Sequence, residues 1–383
     1  MPDPLPLAGH FAVEIGHSLA GPFCGAILAD LGATVLKVES AGKGDHARDW
    51  GPPFIEGAAA LFHAVNRGKL SVTADLRDPA TAEALRWIIL ERTDILLQNL
   101  KVGTLEEAGL GAEGLLAAKP SLVICNIGAF GRNGPKRSAP GYDPLIQAAS
   151  GLMSMNGHPG APPARLPVAV NDVGTGIWGA LGILAALLRR TTTGRGGVVD
   201  VSLYETALNW MGVPIADHLA SGALPKRYGS GVGNIVPYQV FDCADGELLI
   251  AAGNDLLFGK LCGVLGLDAL ATDPRFATNG GRVENRDALI PALMEATRGW
   301  PVAMLTAALE KARIPCGPVQ DVATALADPQ TEALGIIAAT PGDGVRTVAL
   351  PLSFDGKRPP LSGRAPRLGE HQSILDKAKD RRR

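Results

Sequence analysis

Short apolar segments alternate with helical patterns over the first 203 residues, and this alternation constrains the fold more than any other feature of the sequence. The strand-like segments are residues 11–15, 34–38, 70–74, 95–97, 122–127 and 198–203. The helical patterns are residues 22–31, 79–91, 104–117, 144–155 and 173–190. Strands and helices that alternate in this way form parallel sheets covered by helices. The sequence therefore predicts an α/β fold with a mostly parallel, doubly wound sheet.

The chain changes character near residue 222, where glycine and proline become frequent. Two strand-like segments follow at residues 236–241 and 247–252, and Asp245-Gly246 is a typical turn between them. Helical patterns then continue to residue 312. We therefore expect a second, smaller domain to begin at residue 222.

The composition excludes several classes of partner. Apolar residues make up 46% of the chain and charged residues 19%, which is typical of a globular protein. With 36 basic and 38 acidic residues the net charge is −2, so no electrostatic argument favours nucleic acid or an acidic membrane surface. We expect a small-molecule partner and no nucleic acid.

Cysteine and histidine spacing indicates neither disulfides nor a metal. The five cysteines form no CxxC pair, and the seven histidines form no HxH or HxxxH pair. The amino terminus lacks the basic and apolar regions of a signal peptide. The longest apolar run, residues 177–188, is shorter than the roughly 18 residues that a membrane span needs. We expect a soluble, cytoplasmic protein with reduced thiols, no metal and no membrane partner.

The turn after the first strand resembles a dinucleotide-binding turn only in part. Gly16, Gly21 and Gly25 do not have the GxGxxG spacing, so the evidence for NAD is poor. Basic side chains nevertheless follow several predicted strands, where open α/β sheets bind ligands. They are Lys43, Arg48, Arg67, Lys69 and Lys101. A phosphorylated ligand is one interpretation, and an ordinarily charged surface is the other.

Asp172 is the candidate catalytic residue. It follows residues 168–170, which we expect to be a short buried strand, and it precedes an apolar helical pattern with Gly174 and Gly176. Backbone N–H groups at a helix start favour the ionised form of a carboxylate, which can then attack an activated acyl group. The alternative is an ordinary helix cap, and on this stretch alone capping is the more common role of aspartate.

A set of ordered motifs spans nearly the whole chain. Residues 19–39 read LAGPFCGAILADLGATVLKVE. The others are NRGKLS at 66–71, GYDPLIQA at 141–148, the Asp172 stretch, TGRG at 193–196, IVPY at 235–238, TDPRFATN at 272–279 and CGPV at 316–319. Together these motifs resemble the class III CoA-transferases, the family of formyl-CoA transferase and carnitine CoA-transferase. Several motifs in a fixed order are more specific than any one of them.

The resemblance implies an interlocked homodimer, in which each chain has a large Rossmann-like domain and a small α+β domain. We accordingly expect residues 1–221 to begin the large domain, residues 222–312 to form the small domain, and residues 313–383 to complete the large one. The basic end of the chain, residues 376–383, is expected to be solvated.

The resemblance also implies a CoA-transferase that moves coenzyme A between small carboxylic acids. Asp172 would attack an acyl-CoA thioester, giving an aspartyl mixed anhydride and CoA thiolate. The thiolate would then form an enzyme-bound CoA thioester, which passes CoA to the acceptor acid through a second anhydride. Acyl-CoA is thus a substrate, and no tightly bound cofactor is expected.

The candidate CoA-binding residues are Leu19, Ala20, Ser40, Arg48, Asn99, Lys101 and Gly128. Asn99 and Lys101 match the polar and basic positions of the family after the fourth strand. Leu19 and Ala20 match the backbone segment near the thioester. Ser40 stands where the family commonly has an arginine, and Glu107 where it has a basic residue. Lys43, Arg48 and Lys101 are therefore the alternative ligands of the CoA phosphates.

Three glycines match the position of a mobile loop in the family. They are Gly229, Gly231 and Gly233, and the resemblance favours a lid that closes over the active site rather than a simple linker.

The main alternative is α-methylacyl-CoA racemase, which shares the fold that the resemblance implies. Racemisation needs an acid–base pair at the α-carbon, and in that branch a histidine precedes the aspartate of a Gly-His-Asp sequence. Here Tyr142 precedes Asp143, and tyrosine, with a pKa of about 10, is a poor base at neutral pH. The sequence therefore favours CoA transfer. A catalytically silent acyl-CoA-binding protein is a further alternative.

Overall fold

The computed structural model describes residues 4–381. Its strands are β1 (Phe11–Ile15), β2 (Thr34–Ser40), β3 (Phe54–Ile55), β4 (Ala58–Ala59), β5 (Leu70–Ala74), β6 (Ile95–Gln98), β7 (Val123–Gly128), β8 (Gly197–Ser202), β9 (Tyr238–Asp242), β10 (Glu247–Ala251), β11 (Cys316–Pro318), β12 (Ile337–Ala339) and β13 (Arg346–Val348). Its α-helices are α1 (Ala20–Asp30), α2 (Ala60–Asn66), α3 (Pro79–Arg92), α4 (Thr104–Glu107), α5 (Ala112–Ala118), α6 (Asp143–Ser150), α7 (Leu152–Met155), α8 (Val170–Thr193), α9 (Leu203–Trp210), α10 (Gly212–Ser221), α11 (Asp255–Leu265), α12 (Asp268–Thr272), α13 (Asn279–Glu284), α14 (Arg286–Arg298), α15 (Val302–Lys311), α16 (Val322–Ala327), α17 (Pro329–Leu334) and α18 (Ser373–Asp380).

The largest sheet has the strand order β5-β2-β1-β6-β7-β8, and all its neighbouring strands are parallel. Each strand coincides with one of the predicted segments, which confirms the predicted parallel sheet. The order reverses direction between β1 and β6. In sheets of this topology, ligands bind beyond the carboxyl ends of the strands at such a reversal.

Helices cover both faces of this sheet. The central strands β1 and β2 are buried almost throughout, as expected for parallel strands with apolar residues on both faces. One hydrophobic core lies between the sheet and the helices α1 and α8, and another lies between the sheet and the helices α3 and α18. The chain therefore has the doubly wound, mixed α/β architecture predicted from the alternation.

Glycines allow α1 and α8 to approach closely. A Cβ atom at Gly176 would lie 2.9 Å from the carbonyl oxygen of Ala20, and one at Gly179 would lie 3.3 Å from the sulfur of Cys24. The later glycine of α8 thus faces the later residue of α1, so the two helices run parallel. Their amino ends consequently lie side by side, at the carboxyl edge of the sheet where β1 ends.

Buried charges tie the strands β1 and β2 to their neighbours. The carboxylate of Glu14 accepts from the ammonium groups of Lys37 and Lys69, at 2.9 and 2.7 Å, and none of the three side chains is exposed by more than 1%. Lys37 also pairs with Asp45 at 2.8 Å. Burial opposes the charge of Glu14, but the two ammonium groups hold the pKa of its carboxyl below the usual value. Each group in this cluster therefore stays charged despite burial, because the opposite charges of its partners stabilise it.

The chain divides into two compact units. The first runs up to Ser150, continues over Leu166–Gly212 and resumes at Gln330, and the second comprises Gly151–Arg165 and Val213–Pro329. The second unit contains an antiparallel sheet of order β11-β10-β9, with a core formed with helices such as α11, α14 and α15.

These limits differ from the expected limits at residues 222 and 312. The second unit continues past residue 312 because β11 pairs with β10, where Cys316 lies opposite Ile250. The segment at 151–165 belongs to it because the amide of Gly229 donates to the carbonyl of Gly157 at 3.0 Å.

Several predicted elements end where glycine adopts a left-handed conformation. The helix predicted at 104–117 is two helices, α4 and α5, because Gly109 between them has a φ of 71°. The helix predicted at 144–155 is likewise divided into α6 and α7 by Gly151, with a φ of 96°.

Two other expectations about local structure are wrong. Residues 168–170 do not form a buried strand, because Val168 is 62% exposed and Val170 already begins α8. The end of the chain is not simply solvated, because α18 buries Leu375 and Ala378 against α3. Residues 382 and 383 of the expected solvated end lie outside the described residues.

The helix α8 is, within residues 4–381, the one helix long and apolar enough to cross a membrane. Its most apolar stretch has a mean hydropathy of 1.3, and half of that stretch is buried. Core helices of soluble proteins meet the same criteria. The close contact of its glycines with α1 is what such a core position requires.

Replacing Gly176 by alanine should destabilise the protein. The new methyl group would press on the backbone of α1, and overpacking of this kind costs about 1–3 kcal/mol of the free energy of unfolding. Gly114 in α5 is the matched control, because a Cβ there meets nothing within 4 Å. Gly114→Ala should stabilise by about 0.5–1 kcal/mol. Urea unfolding of both variants measures the difference, and equal effects would contradict the close approach of α1 and α8.

Candidate active site

Asp172 lies in the first turn of α8, as its third residue. The position before the helix is Ala169, which has no capping side chain. Asp172 is therefore not the cap of α8. It lies one turn before Gly176, on the same side of the helix, and so faces the start of α1.

Asp143 accepts hydrogen bonds from the backbone amides that the sequence analysis expects to stabilise the Asp172 carboxylate. Its Oδ2 accepts from the N–H groups of Asn171 and Asp172, at 2.7 and 3.2 Å. Within the described residues no group donates a hydrogen bond to the Asp172 carboxylate. Burial, and then the negative charge of Asp143, raise the pKa of Asp172 to about 7. The expectation that the helix start favours the ionised form of Asp172 is thus wrong, because another carboxylate occupies those donors.

The start of α1 offers amides instead. No residue in the described part of the chain accepts a hydrogen bond from the N–H groups of Leu19, Ala20 or Gly21, and α1 has no side-chain cap. Leu19 is 9% and Ala20 3% exposed. Buried amides of this kind need an acceptor, and those at a helix start favour a negatively charged one.

Hydrogen bonds with buried charged side chains fix the turn between β1 and α1. Asp45 accepts from the amide of Ser18 at 2.8 Å, Lys37 donates to the carbonyl of Gly16 at 3.2 Å, and Lys69 donates to the carbonyl of Pro22 at 2.8 Å. Ser18 has a φ of 71°, a conformation that non-glycine residues adopt rarely. The buried charges therefore fix a strained turn directly before α1.

The Asn99 side chain makes two further hydrogen bonds with the backbone of this turn. Its Oδ1 accepts from the amide of His17 at 2.9 Å, and its Nδ2 donates to the carbonyl of His17 at 2.8 Å. A Cβ atom at Gly16 would lie 2.3 Å from that Oδ1, so glycine is required there. Asn99 thus positions the backbone, and its amide is already occupied on both sides.

A cleft opens at the carboxyl ends of β1, β2 and β5. Among its lining residues are His17, Ser40, His46 and Arg77. Ser40 donates to the carbonyl of Gly44 at 2.7 Å, which holds the loop after β2. Burial lowers the pKa of His17, whose Nδ1 contacts the hydroxyl of Ser18 at 2.9 Å. The side chain of Arg77 is 91% exposed, and its guanidinium donates to the two carboxylate oxygens of Asp75 at 2.9 Å each.

Three of the basic residues considered as phosphate ligands have carboxylate partners. Arg48 binds Glu39 through two hydrogen bonds of 2.8 and 2.7 Å, Arg67 binds Asp30, and Lys69 binds Glu14. Lys43 and Lys101 are exposed. An exposed cation can meet a mobile phosphate without losing an existing ion pair.

A second recess lies at the carboxyl ends of β6, β7 and β8, and its lining includes Lys101 and Gly128. Leu100 lines both the recess and the cleft, so the two adjoin. Polar side chains follow the strand ends in this recess: Gln98 donates to Asn126, and both Asn126 and Arg132 donate to Asp200.

The glycine loop belongs to the second unit. The amide of Gly229 donates to the carbonyl of Gly157 at 3.0 Å, and the Arg286 guanidinium donates to the carbonyls of Val232 and Gly233. Gly229 has a φ of 64°, and a Cβ there would lie 2.8 Å from a ring nitrogen of His158. This explains why the loop contains glycine, and its role as a lid stays a prediction.

The sequence does not single out three residues of the candidate site. They are His17, Arg77 and Asp143, of which Asp143 enters the sequence analysis only as the residue after Tyr142. The position of His17 and Arg77 directly after predicted strands is the signal that could have identified them. Residues 4–381 contain no group of three or more side chains suited to a metal ion.

The model of CoA-transferase family III matches residues 7–372. The chain belongs to CoA-transferase family III. This confirms the family and the enzyme class that the ordered motifs predicted. Since the match covers the Asp172 stretch and both units, it applies to the chain as a whole.

Individual relatives agree with the family. The chain is 37% identical to the succinate–glutarate CoA-transferase of Agrobacterium fabrum, over 96% of this chain and 94% of that one. It is 36% identical to the acetyl-CoA:oxalate CoA-transferase of Acetobacter aceti, over 97% and 95%. A CaiB/BaiF family protein from Brucella suis, known from its crystal structure, is 42% identical with a TM-score of 0.87, covering 99% of this chain and 100% of that one.

Replacing Asp172 by asparagine should stabilise this transferase above neutral pH. The Asp172 pKa of about 7 lies above the value of about 3.9 in an unfolded chain. The wild type therefore loses stability as the pH rises from about 4 through 7, because folding then has to hold an unfavourable charge. Asp172→Asn lacks this loss and should be more stable at pH 8 by roughly 1–3 kcal/mol.

Urea unfolding at several pH values measures this effect. Asp78→Asn is the control of opposite sign, because hydrogen bonds, first that from the Thr81 hydroxyl, lower the pKa of Asp78. The wild type gains stability from the ionised Asp78 as the pH rises towards about 4, so Asp78→Asn should be less stable than the wild type above that pH, by a difference that stays constant up to pH 8. A wild type and an Asp172→Asn variant with parallel pH dependence would contradict the raised pKa.

Proposed function

We propose that this family III protein transfers coenzyme A between small carboxylic acids, with the Asp172 carboxylate as the nucleophile. The observation that carries the proposal is the position of this carboxylate, which accepts no hydrogen bond within the described residues and faces the start of α1. A carboxylate without such donors is more basic and a better nucleophile toward a thioester.

The reaction has two matched halves. One oxygen of Asp172 attacks the thioester carbonyl of the donor, the C–S bond breaks, and CoA leaves as a thiolate. The thiolate attacks the aspartyl carbonyl of the resulting anhydride and releases the donor acid. The carboxylate of the acceptor then attacks the enzyme-bound thioester, whose C–S bond breaks to give a second anhydride and CoA thiolate. The thiolate attacks the acceptor carbonyl of that anhydride. This last step restores the Asp172 carboxylate and forms the new acyl-CoA.

The open amides of Leu19, Ala20 and Gly21 are suited to the oxygen of the reacting carbonyl. Each attack places negative charge on that oxygen, and N–H donors that are already in position stabilise it. Asn99 and Asp45 hold the turn before these amides, so the donors need not reorganise during the reaction.

The cleft and the adjoining recess at the strand ends are the proposed site of CoA. Lys101 supplies positive charge there for its phosphates. Arg77 does so as well, because its ion pair with Asp75 is exposed to solvent and therefore weak. Ser40 and Gly128 line the two walls. Arg48 was predicted as a phosphate ligand, but we assign it a structural role, because it donates two hydrogen bonds to Glu39 in the wall of the cleft. Asn99 is assigned no contact with CoA, because its side-chain amide holds the backbone of His17 in place.

Small dicarboxylic acids are the proposed exchange partners. Succinate, glutarate and oxalate occur in the names of the relatives that the chain resembles over nearly its whole length. For the rival racemase reaction, the required base is missing from the position before Asp143. Tyr142 there is 59% exposed, and Asp143 itself is engaged by the start of α8.

An interlocked homodimer in the cytoplasm remains our proposal for the assembled enzyme. An apolar stripe on α8, formed by Ile177, Leu181 and Leu188, is 47%, 53% and 72% exposed. Apolar side chains that recur along one helix face in this way support a contact with a second chain. Gly229, Gly231 and Gly233 are proposed to form the lid that excludes water from the anhydride.

Mass spectrometry tests the nucleophile directly. The protein should gain an acyl-sized or CoA-sized adduct when it is mixed with a panel of acyl-CoAs that includes succinyl-CoA and glutaryl-CoA. Peptide mapping after hydroxylamine treatment should place the adduct on Asp172, and Asp172→Asn should gain none. Wild type and variant that stay equally unmodified across the panel would rule out Asp172 as the nucleophile.

Charge removal at the cleft should weaken CoA binding. Arg77→Ala and Lys101→Ala should each raise KM for acyl-CoA by roughly three- to tenfold, as expected for one phosphate contact, with kcat changed little. The matched control is Arg195→Ala, an exposed arginine just before β8 and hence at the opposite edge of the sheet. Steady-state kinetics distinguish the sites, and an equal KM in all three variants would place the phosphates elsewhere.

A further inference from the structure

Asp143 is held firmly against the start of α8. It is 3% exposed, although it opens α6 and belongs to a different part of the chain. Its Oδ2 accepts from the amides of Asn171 and Asp172, and its Oδ1 accepts from the Nε2 of Gln147. Gln147 is itself fixed, because its Oε1 accepts from the amide of Leu166 at 2.8 Å. Asp143 is thus tied both to α6 and to the segment that leads into α8.

The two amides that Asp143 binds would otherwise be available to Asp172. Acidic side chains in the first turn of a helix are stabilised by its open N–H groups. A carboxylate that accepts such bonds is less basic and less nucleophilic. With Asp143 in place, these donors are occupied, and the Asp172 carboxylate stays without a hydrogen bond from any of residues 4–381.

We propose that Asp143 is a positioning residue for CoA transfer, which fixes the backbone of Asn171 and Asp172, keeps their amides away from the nucleophilic carboxylate and holds a negative charge close to it. This inference rests on the proposed role of Asp172 as the nucleophile. It assigns Asp143 no contact with substrate.

Asp143 also acts on Asp172 through its charge. The elements packed on α8 carry other titratable groups, namely Cys24 and Asp30 on α1, Cys125 on β7, Asp200 on β8, and Tyr204 and Glu205 on α9. Burial and the charge of Asp143 are the causes of the raised pKa of Asp172. Removal of that charge should therefore lower the pKa of Asp172, and the acid limb of the rate profile should move to lower pH.

Asp143→Asn is the main test, because asparagine keeps an acceptor for the two amides but not the charge. The rate of adduct formation at residue 172 is followed in single-turnover mixing with the acyl-CoA that labels the wild type. We expect the acid limb of this rate to shift downward by about one pH unit. The rate at pH 8 should fall roughly tenfold, because the less basic carboxylate is the poorer nucleophile, with KM for acyl-CoA nearly unchanged.

Asp321→Asn is the matched control for loss of a carboxylate at a helix start. Asp321 accepts from the amide of Thr324 at the start of α16, at 2.7 Å, and it lines neither the cleft nor the recess. It should reproduce any general loss of stability while leaving the pH profile and the adduct rate as in the wild type.

Gln147→Met provides an independent variant in case Asp143→Asn does not fold. It removes the donor to Asp143 but leaves the charge, now less neutralised, so the acid limb should move upward, opposite to its shift in Asp143→Asn. Labelling of the wild type with unchanged profiles in the variants would overturn the role of Asp143 and leave the nucleophile intact. Absence of any label in the wild type would instead overturn the proposed function itself.

Discussion

The close approach of α1 and α8 is the contact on which the site depends. It is possible because Gly176 and Gly179 present no side chain to α1, where the Ala20 carbonyl and the Cys24 sulfur would meet one. Since the helices run parallel, this contact brings two helix starts together at the carboxyl edge of the sheet. The proposed nucleophile on one helix and a set of open amides on the other are thereby placed next to each other by backbone packing.

The buried charges under the turn provide the second constraint. Glu14 and Lys37 lie opposite each other on the central strands β1 and β2, where most parallel sheets have apolar residues. Breaking one partner of such a cluster leaves an uncompensated buried charge, which destabilises a protein by about 3–5 kcal/mol. The cluster reaches Gly16, Ser18 and Pro22 through backbone hydrogen bonds, so its rigidity is passed to the turn that precedes α1.

The sheet could be predicted from the sequence because its strands are short apolar segments between helical patterns, and the central strands β1 and β2 are buried on both faces. Motif order identified the family, and the same motifs give Asp172 as the candidate nucleophile. Interruptions of helices at Gly109 and Gly151 were harder to predict, since glycine is tolerated within helices and only the tertiary contacts decide its φ. The role of Asp143 could not be predicted either, because its hydrogen bonds join residues 28 and 29 positions apart in the chain.

The backbone N–H donors are occupied at the start of α8 and open at the start of α1, and this difference suits the proposed chemistry. At α8 the donors are filled by a carboxylate of the protein, so the neighbouring Asp172 keeps a high proton affinity, which burial increases further. At α1 the donors of Leu19, Ala20 and Gly21 have no acceptor in the described chain and can serve a charge that develops only during reaction. Had both starts been open, α8 would have stabilised the resting carboxylate and lowered its reactivity. Had both been filled, no donors would remain at the start of α1 for the reacting carbonyl.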